Sequence, residues 1–320
     1  RHRLPIHTIK KKEEVETTMS FITTSLSRPT SSQSNVNTFF RPALFASATV
    51  VGTFAVSGYL KWKSTLLTQH QQSSPGWTFS KMLKVHTHSA NAFFYPVVAA
   101  NVAVFALWNW KTLPTSFLTT HFLYTHGVSS IFSPLGATFS HQELWHLACN
   151  MVSLFNFSKI CVKDIGTYDT AAMYLSSGIL SSLVSGFAGS LMGRNLGKGG
   201  SLGASGAVGS LGASGAVCAL TTFAILNHHD AKLSCFFFRV DAMNYLKFNI
   251  LYDVVGLMYG GPMPTIAGMK QVGHAAHLGG VACGYLFGSG GGLTMCKWFQ
   301  RKFNVCVWRI ENWCATFFAK

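Results

Sequence analysis

Three places in this 320-residue chain hold side chains whose types and spacing could do chemistry. The stretch from Gly200 to Leu220 reads GSLGASGAVGSLGASGAVCAL, so the same nine residues occur twice and each copy sets a serine between small residues, Ser205 and Ser214. A serine hydroxyl is a weak nucleophile until a base stands beside it. Small flanking residues let a second backbone approach, and a helix that starts at the serine leaves free N–H groups near the hydroxyl. Upstream, HQELWHLACN carries His141, His146 and Asn150. His146 and Asn150 are four apart and share one helix face, where an imidazole and a carboxamide offer two aligned donors suited to an oxyanion. The same pair could equally be a hydrogen-bonded contact between two helices. Downstream, GHAAHLGGVACGYLFG places His277 ahead of Gly280, Gly284 and Gly288, a double GxxxG along which a neighbouring helix can come to near contact. The small residues Gly215 and Ala219, with Ser214 and Cys218, form a matching stripe after the second serine. Packing the two stripes together would bring serine and histidine within hydrogen-bond reach. His274, three residues earlier and off the glycine stripe, ranks behind His277 as the base.

The elements that must position these groups are apolar. Only 11% of residues are charged against 48% hydrophobic, where soluble domains carry about 25% charged residues. A polytopic all-α membrane protein follows from that balance. The net charge of +15 is spread in ones and twos between apolar runs, which suits headgroup anchoring at span ends and argues against a nucleic-acid partner. Residue 1 is arginine, and residues 1–18 read as lying upstream of the first methionine, Met19. From there to residue 40 the chain is rich in Ser and Thr, and no acid occurs between Glu16 and Glu143; this composition fits a mitochondrial presequence or a plain disordered tail. The organisation expected is a disordered segment at 1–40, an extra transmembrane helix at 41–63, a polar linker at 64–90, a helical core at 91–292 and a basic interfacial tail at 293–320. Six further spans are expected in the core: Asn91 to Trp110, about Trp145 to Val162, Tyr168 to Met192, the run after Ser214, about Tyr245 to Gly260, and one from His274.

Eight cysteines occur without a CxxC pair, and neither a disulfide framework nor a metal site is expected. A zinc protease would need HExxH, whereas His141 and His146 are five apart with Glu143 offset. An intramembrane aspartyl protease would need two facing acids; Tyr168–Asp169 and Tyr252–Asp253 occur without a GxGD partner. Asp253 reads instead as a buried, hydrogen-bonded acid near the cavity.

The combination HxxxxHxxxN, GxSG and AHxxG on three successive helix starts resembles the rhomboid intramembrane serine proteases, with wording such as FFRP, ANVAVFALW, TFSH, YLSSG, SLGASGAV and HAAHLGG most like the mitochondrial presenilin-associated members. The resemblance covers roughly Phe39 to Gly288. It implies a rhomboid-like six-helix core preceded by one extra transmembrane helix, a Ser–His dyad without a third acid, an oxyanion site and a mitochondrial inner-membrane location. Carried over by position, His277 is the base, His146 and Asn150 are the oxyanion stabilisers, and His141 is structural. No cofactor is implied; the partners are single-pass transmembrane protein substrates and the lipid bilayer. The duplicated GASG departs from the family pattern and keeps open a second reading, a catalytically inactive relative that binds and escorts membrane helices.

Between the two serines, geometry favours Ser214. The apolar run after it reaches Leu226 before NHHD, which puts Ser214 about 20 Å from the polar end of its helix. Nine residues turn a helix through about 900°, so the two hydroxyls would face opposite ways and cannot both meet His277. The glycine-rich character of the first copy suits a loop.

Overall fold

The computed structural model describes residues 32–70, 89–110, 113–125, 129–195, 210–235, 238–259 and 273–318. Residues 1–31 of the expected N-terminal segment, most of the linker and Ser205 lie outside them, whereas residues 32–40, expected to be disordered, are helical. The chain divides into two units, residues 1–40 and 41–320; the second holds every feature below, and Ser32–Phe40 enters only as the opening of the first helix.

Ten helices are described: α1 (Ser32–His70), α2 (Ala90–Asn109), α3 (Thr115–Phe122), α4 (Ser133–Ala137), α5 (Leu144–Ile165), α6 (Thr167–Asn195), α7 (Ser214–Asn227), α8 (Ala242–Tyr259), α9 (His274–Gly288) and α10 (Gly291–Phe318). A two-stranded antiparallel hairpin, β1 (Lys232–Cys235) and β2 (Phe238–Asp241), joins α7 to α8, with Lys232 opposite Asp241. The fold is all-α apart from this hairpin, which the hydropathy pattern did not reveal. Among the described residues three helices are long and apolar enough to cross a membrane: Phe40–Thr65 within α1, Ala90–Asn109, and Thr167–Gly189 within α6; Ser214–Asn227 is a shorter apolar helix. The expected spans on α5, α8 and α9 are helices but fall outside that criterion: His146, Asn150, Asn156 and Lys159 lower the mean hydropathy of α5, Asn244, Lys247, Asn249 and Asp253 that of α8, and α9 is only 15 residues long. Such helices remain compatible with membrane depth when packed among protein neighbours that satisfy their polar groups.

Much of the exterior is apolar, and hydroxyl side chains share the interior with the hydrophobic residues. Val152, Phe155, Val184, Phe187, Leu251 and Leu286 are exposed, while Ser158, Ser176, Ser177, Ser181, Ser182, Thr221 and Thr222 are buried. Between apolar exteriors and lipid there is no hydrophobic drive for helices to associate, so close van der Waals packing through small residues has to supply it. The buried hydroxyls of α6 bond back to carbonyls of their own helix, Ser176 to Ala172 at 2.6 Å and Ser182 to Gly178 at 3.0 Å, which leaves their small side chains as smooth contact surface.

That surface packs α6, α7 and α9 together. A methyl group added to Gly280 would strike the Gly215 carbonyl; on Gly284 it would come within 2.7 Å of Thr222 Cβ, and on Gly288 within 3.0 Å of Leu226 Cδ1. The two expected small-residue stripes therefore meet along their length. On the third side, a methyl on Gly279 would lie 3.1 Å from the Ser181 Cα. A hydrophobic cluster that includes Leu154 and Phe157 of α5, Met173 and Tyr174 of α6, and Leu220 and Phe223 of α7 joins these helices. Gly166, at φ 86°, takes the left-handed conformation that lets α5 stop and α6 begin at the next residue.

A polar cluster ties α1 and α10 to this core. The buried Asp169 carboxylate, on the first turn of α6, pairs with Lys61 and accepts hydrogen bonds from Ser57 and from Gln300 Nε2 at 2.9 Å; Lys61 also donates to the Ile165 carbonyl at 3.1 Å. A carboxylate at such depth is tolerated because it is both paired and hydrogen-bonded.

Candidate active site

Ser214 is the first residue of α7, so its own N–H and those of Gly215 and Ala216 have no intrahelical acceptor, the first such bond being Val217 N–H to the Ala213 carbonyl at 2.9 Å. The approach to it is set by backbone bonds. Ser210 forms a two-way bridge with Tyr124, at 3.0 and 2.8 Å, and Gly212 N–H donates to the Ala137 carbonyl at 2.9 Å. Gly212 stands at φ 121°, where a side chain is strained. A methyl there would lie 2.8 Å from His146 Cε1, 3.1 Å from His146 Nε2 and 3.8 Å from Ser214 Oγ. The bare α-carbon of Gly212 thus lets the His146 ring and the Ser214 hydroxyl share one small space. These contacts are made by the second copy of the repeat.

His146 and Asn150 sit on the first two turns of α5. Asn150 is buried, and one amide hydrogen goes to the His146 carbonyl at 2.9 Å, leaving its second N–H. His141 precedes the helix, fully buried; its ring meets that of His146 edge-on at 4.8 Å, and its Nε2 accepts the Ala213 N–H at 3.5 Å. Burial, reinforced by the neighbouring His146, pushes the His141 imidazole down from its ordinary 6.5 to about 3, against a smaller opposing effect of the Phe139 carbonyl. A ring held neutral in this way can serve as a fixed acceptor for the residue immediately before Ser214.

His277 comes from α9. A methyl on Gly215 would fall 3.2 Å from the Ala276 carbonyl oxygen, so the turns bearing Ser214 and His277 face each other, and the His277 and His146 imidazoles lie close enough for their charges to interact. Among the described residues no hydrogen bond joins Ser214 Oγ to the His277 ring. Separations of this kind are usual before substrate enters a site. The His277 side chain retains 20% exposure, against 4% for Asp253, so the base reaches an open side of the site.

Asp253 was legible only as a buried acid. It lies on α8, and its Oδ1 accepts from His277 Nδ1 at 3.0 Å and from His274 Nδ1 at 2.8 Å. The Ser–His pair expected to lack an acid therefore has one behind its histidine, which fixes the ring and leaves Nε2 as the nitrogen available to the serine side. The signal that could have found it is weak: an acid inside an apolar run, with no sequence spacing that names its partner. His274 is directed away from Ser214, its ring against Tyr252 at 5.3 Å and against Gly256. Among the described residues no three His, Cys, Asp or Glu side chains are arranged to hold a metal ion.

The chain is similar to known proteins over the segment that holds these residues. A Rhomboid domain matches residues 126–292, just over half of the chain. The human "Presenilin-associated rhomboid-like protein, mitochondrial" is 35% identical over 213 residues, which are 66% of this chain and 51% of that protein. "Rhomboid protein 1, mitochondrial" of Saccharomyces cerevisiae is 33% identical over 250 residues, 76% of this chain and 62% of that one. A Danio rerio relative, "Presenilin-associated rhomboid-like protein A, mitochondrial", is 30% identical over 192 residues, 59% and 45% of the two chains. The chain thus spans about half the length of the presenilin-associated relatives it matches. With its serine, histidines and asparagine on the helix starts where that domain match falls, the chain belongs to the rhomboid family.

Proposed function

We propose that this chain is an intramembrane serine endopeptidase of the mitochondrial inner membrane, cleaving transmembrane segments of single-pass proteins with Ser214 as nucleophile and His277 as base. The observation that carries the reading is the His277 ring, anchored through Nδ1 to the buried Asp253 and set on the turn facing Ser214. In the proposed reaction Ser214 Oγ attacks a peptide carbonyl while its proton passes to His277 Nε2; the imidazolium is stabilised by Asp253 and then protonates the leaving amine. The tetrahedral oxygen has donors near it in His146 Nε2–H, the second Asn150 amide hydrogen and the free N–H groups at the start of α7. Water, activated by the same histidine, releases the acyl group. The substrate helix has to unwind locally, since an intact helix hides its carbonyls in hydrogen bonds. The mitochondrial naming of the relatives supports the location.

A second reading, an inactive relative that binds and escorts membrane helices, is favoured by the missing Ser214–His277 hydrogen bond and by the nine-residue duplication. Fluorophosphonate labelling of the purified protein separates the two. Label on wild type that is lost in Ser214→Ala and kept in Ser205→Ala establishes the enzyme and its nucleophile. Loss only in Ser205→Ala moves the nucleophile to the first copy, and no label on wild type leaves the escort.

A further inference from the structure

A second site lies at the opposite end of the bundle from Ser214. Between α1 and α10 there is a cavity of about 300 Å³, lined among others by Lys61, Trp62, Lys297, Gln300, Arg301 and Asn304. Its walls are tightly joined beneath: a methyl on Gly58 would lie 2.7 Å from Gln300 Cβ, and Asn304 Nδ2 donates to the Gly58 carbonyl at 3.3 Å. Of the three cations on the cavity, Lys61 is held by Asp169, whose Oδ1 is also occupied by Ser57 and Gln300. No carboxylate among the described residues lies within ion-pair distance of Lys297 or Arg301. The cavity therefore carries two uncompensated positive charges.

Its depth is fixed by two helices independently. Lys61, Trp62 and Thr65 are at the end of the apolar stretch Phe40–Thr65, and Asp169 is at the start of the apolar stretch Thr167–Gly189. The end of one apolar stretch and the start of the other thus meet at the cavity. α7 runs from Ser214 down to the same end, where His228 meets Asp164 at 2.9 Å, so the cavity is about 20 Å below the serine. Beside it α10 exposes Trp298, Phe303 and Trp308, apolar surface of the kind that acyl chains cover. Basic pockets between helices at headgroup depth are suited to anionic phospholipids.

We infer that the α1–α10 cavity binds the phosphate group of an anionic phospholipid headgroup, with Lys297 and Arg301 as its charged partners and Trp62 and Asn304 as its walls. The lipid thereby bridges the first helix and the tail helix to the core at a point remote from Ser214.

The test is native mass spectrometry of the full chain, delipidated in neutral detergent and titrated with phosphatidylglycerol or phosphatidylcholine. Wild type is expected to retain one phosphatidylglycerol in preference to phosphatidylcholine. Each removed cation costs about fivefold in affinity, so Lys297→Gln and Arg301→Gln each weaken retention about fivefold and the double variant about thirtyfold. Arg301→Lys recovers most of the loss, and Lys302→Gln, on the next position of the same helix, stays within twofold. If the double variant does not fold, the single variants carry the comparison. Equal retention of the two lipids by wild type, or equal weakening by Lys302→Gln, overturns the site. Displacement of phosphatidylglycerol by millimolar inorganic phosphate overturns the lipid as occupant in favour of a soluble phosphate; no displacement confirms it.

Discussion

Asp253→Asn tests the core of the site most sharply. The substitution keeps the shape of the side chain and one acceptor oxygen while removing the charge. In wild type one oxygen serves His277 Nδ1 at 3.0 Å and His274 Nδ1 at 2.8 Å. When His277 takes the Ser214 proton it becomes a cation facing that carboxylate. At a charge separation near 4 Å and an effective dielectric of about 20, the attraction is about 4 kcal/mol, and it is absent from the amide. Since each 1.36 kcal/mol of barrier is tenfold in rate, turnover falls about three orders of magnitude. The amide also can present N–H instead of oxygen to the ring, which would favour the wrong tautomer and push in the same direction. The assay is cleavage of a fluorogenic transmembrane substrate in proteoliposomes, with kcat and KM separated and the melting temperature of each variant recorded. The expected signature is a collapse of kcat and of the fluorophosphonate labelling rate with KM nearly unchanged. His274→Gln, which leaves the Asp253–His277 contact in place, costs less than tenfold. A folded Asp253→Asn protein within threefold of wild-type kcat would refute the role assigned to the acid.

Three further outcomes follow from the geometry. Gly284→Ala places a methyl within 2.7 Å of Thr222 Cβ and 3.0 Å of the Ala219 carbonyl carbon, so α7 and α9 are forced apart at a cost of about 1–3 kcal/mol, read as a lowered melting temperature; Gly52→Ala, with nothing within 4 Å, leaves it unchanged or raises it. Gly212→Ala combines a strained φ with a clash on His146, and is expected to abolish labelling at Ser214 while the circular dichroism spectrum stays helical. The buried neutral His141 binds its proton only near pH 3, against 6.5 when unfolded. Its stability contribution is therefore complete above pH 6.5 and declines as pH falls from there toward 3, by up to about 1.4 kcal/mol per pH unit. Melting temperatures measured across that range should fall with pH, and His141→Asn should flatten the slope.

What was readable beforehand was periodic. The four-residue interval from His146 to Asn150 and the glycines at 280, 284 and 288 project onto single helix faces whatever the tertiary fold, so their roles as shared surfaces could be drawn from spacing. Helix rise and rotation could say that Ser205 and Ser214 do not both meet His277, while the preference for Ser214 leaned on the glycine-rich first copy and on the spacing that the family resemblance implies. Contacts that join distant segments had no such ruler. Asp253 reaches histidines 21 and 24 residues away across the α8–α9 junction, and Asp169 meets Lys61 and Gln300 at separations of 108 and 131 residues. Strands Lys232–Cys235 and Phe238–Asp241 pair with each other, and each is too short to show an alternating pattern.

The Tyr124–Ser210 bridge has a consequence for the approach to the reactive serine. Ser210 is held by two main-chain bonds and Gly212 by a third, four and two residues ahead of Ser214. Register at the serine is therefore set by these anchors and not by the number of residues counted from α6. The main-chain contacts that lead into the reactive hydroxyl begin at Ser210, inside the second copy of the nonapeptide, and tie the approach to Ser214 to Tyr124 and Ala137.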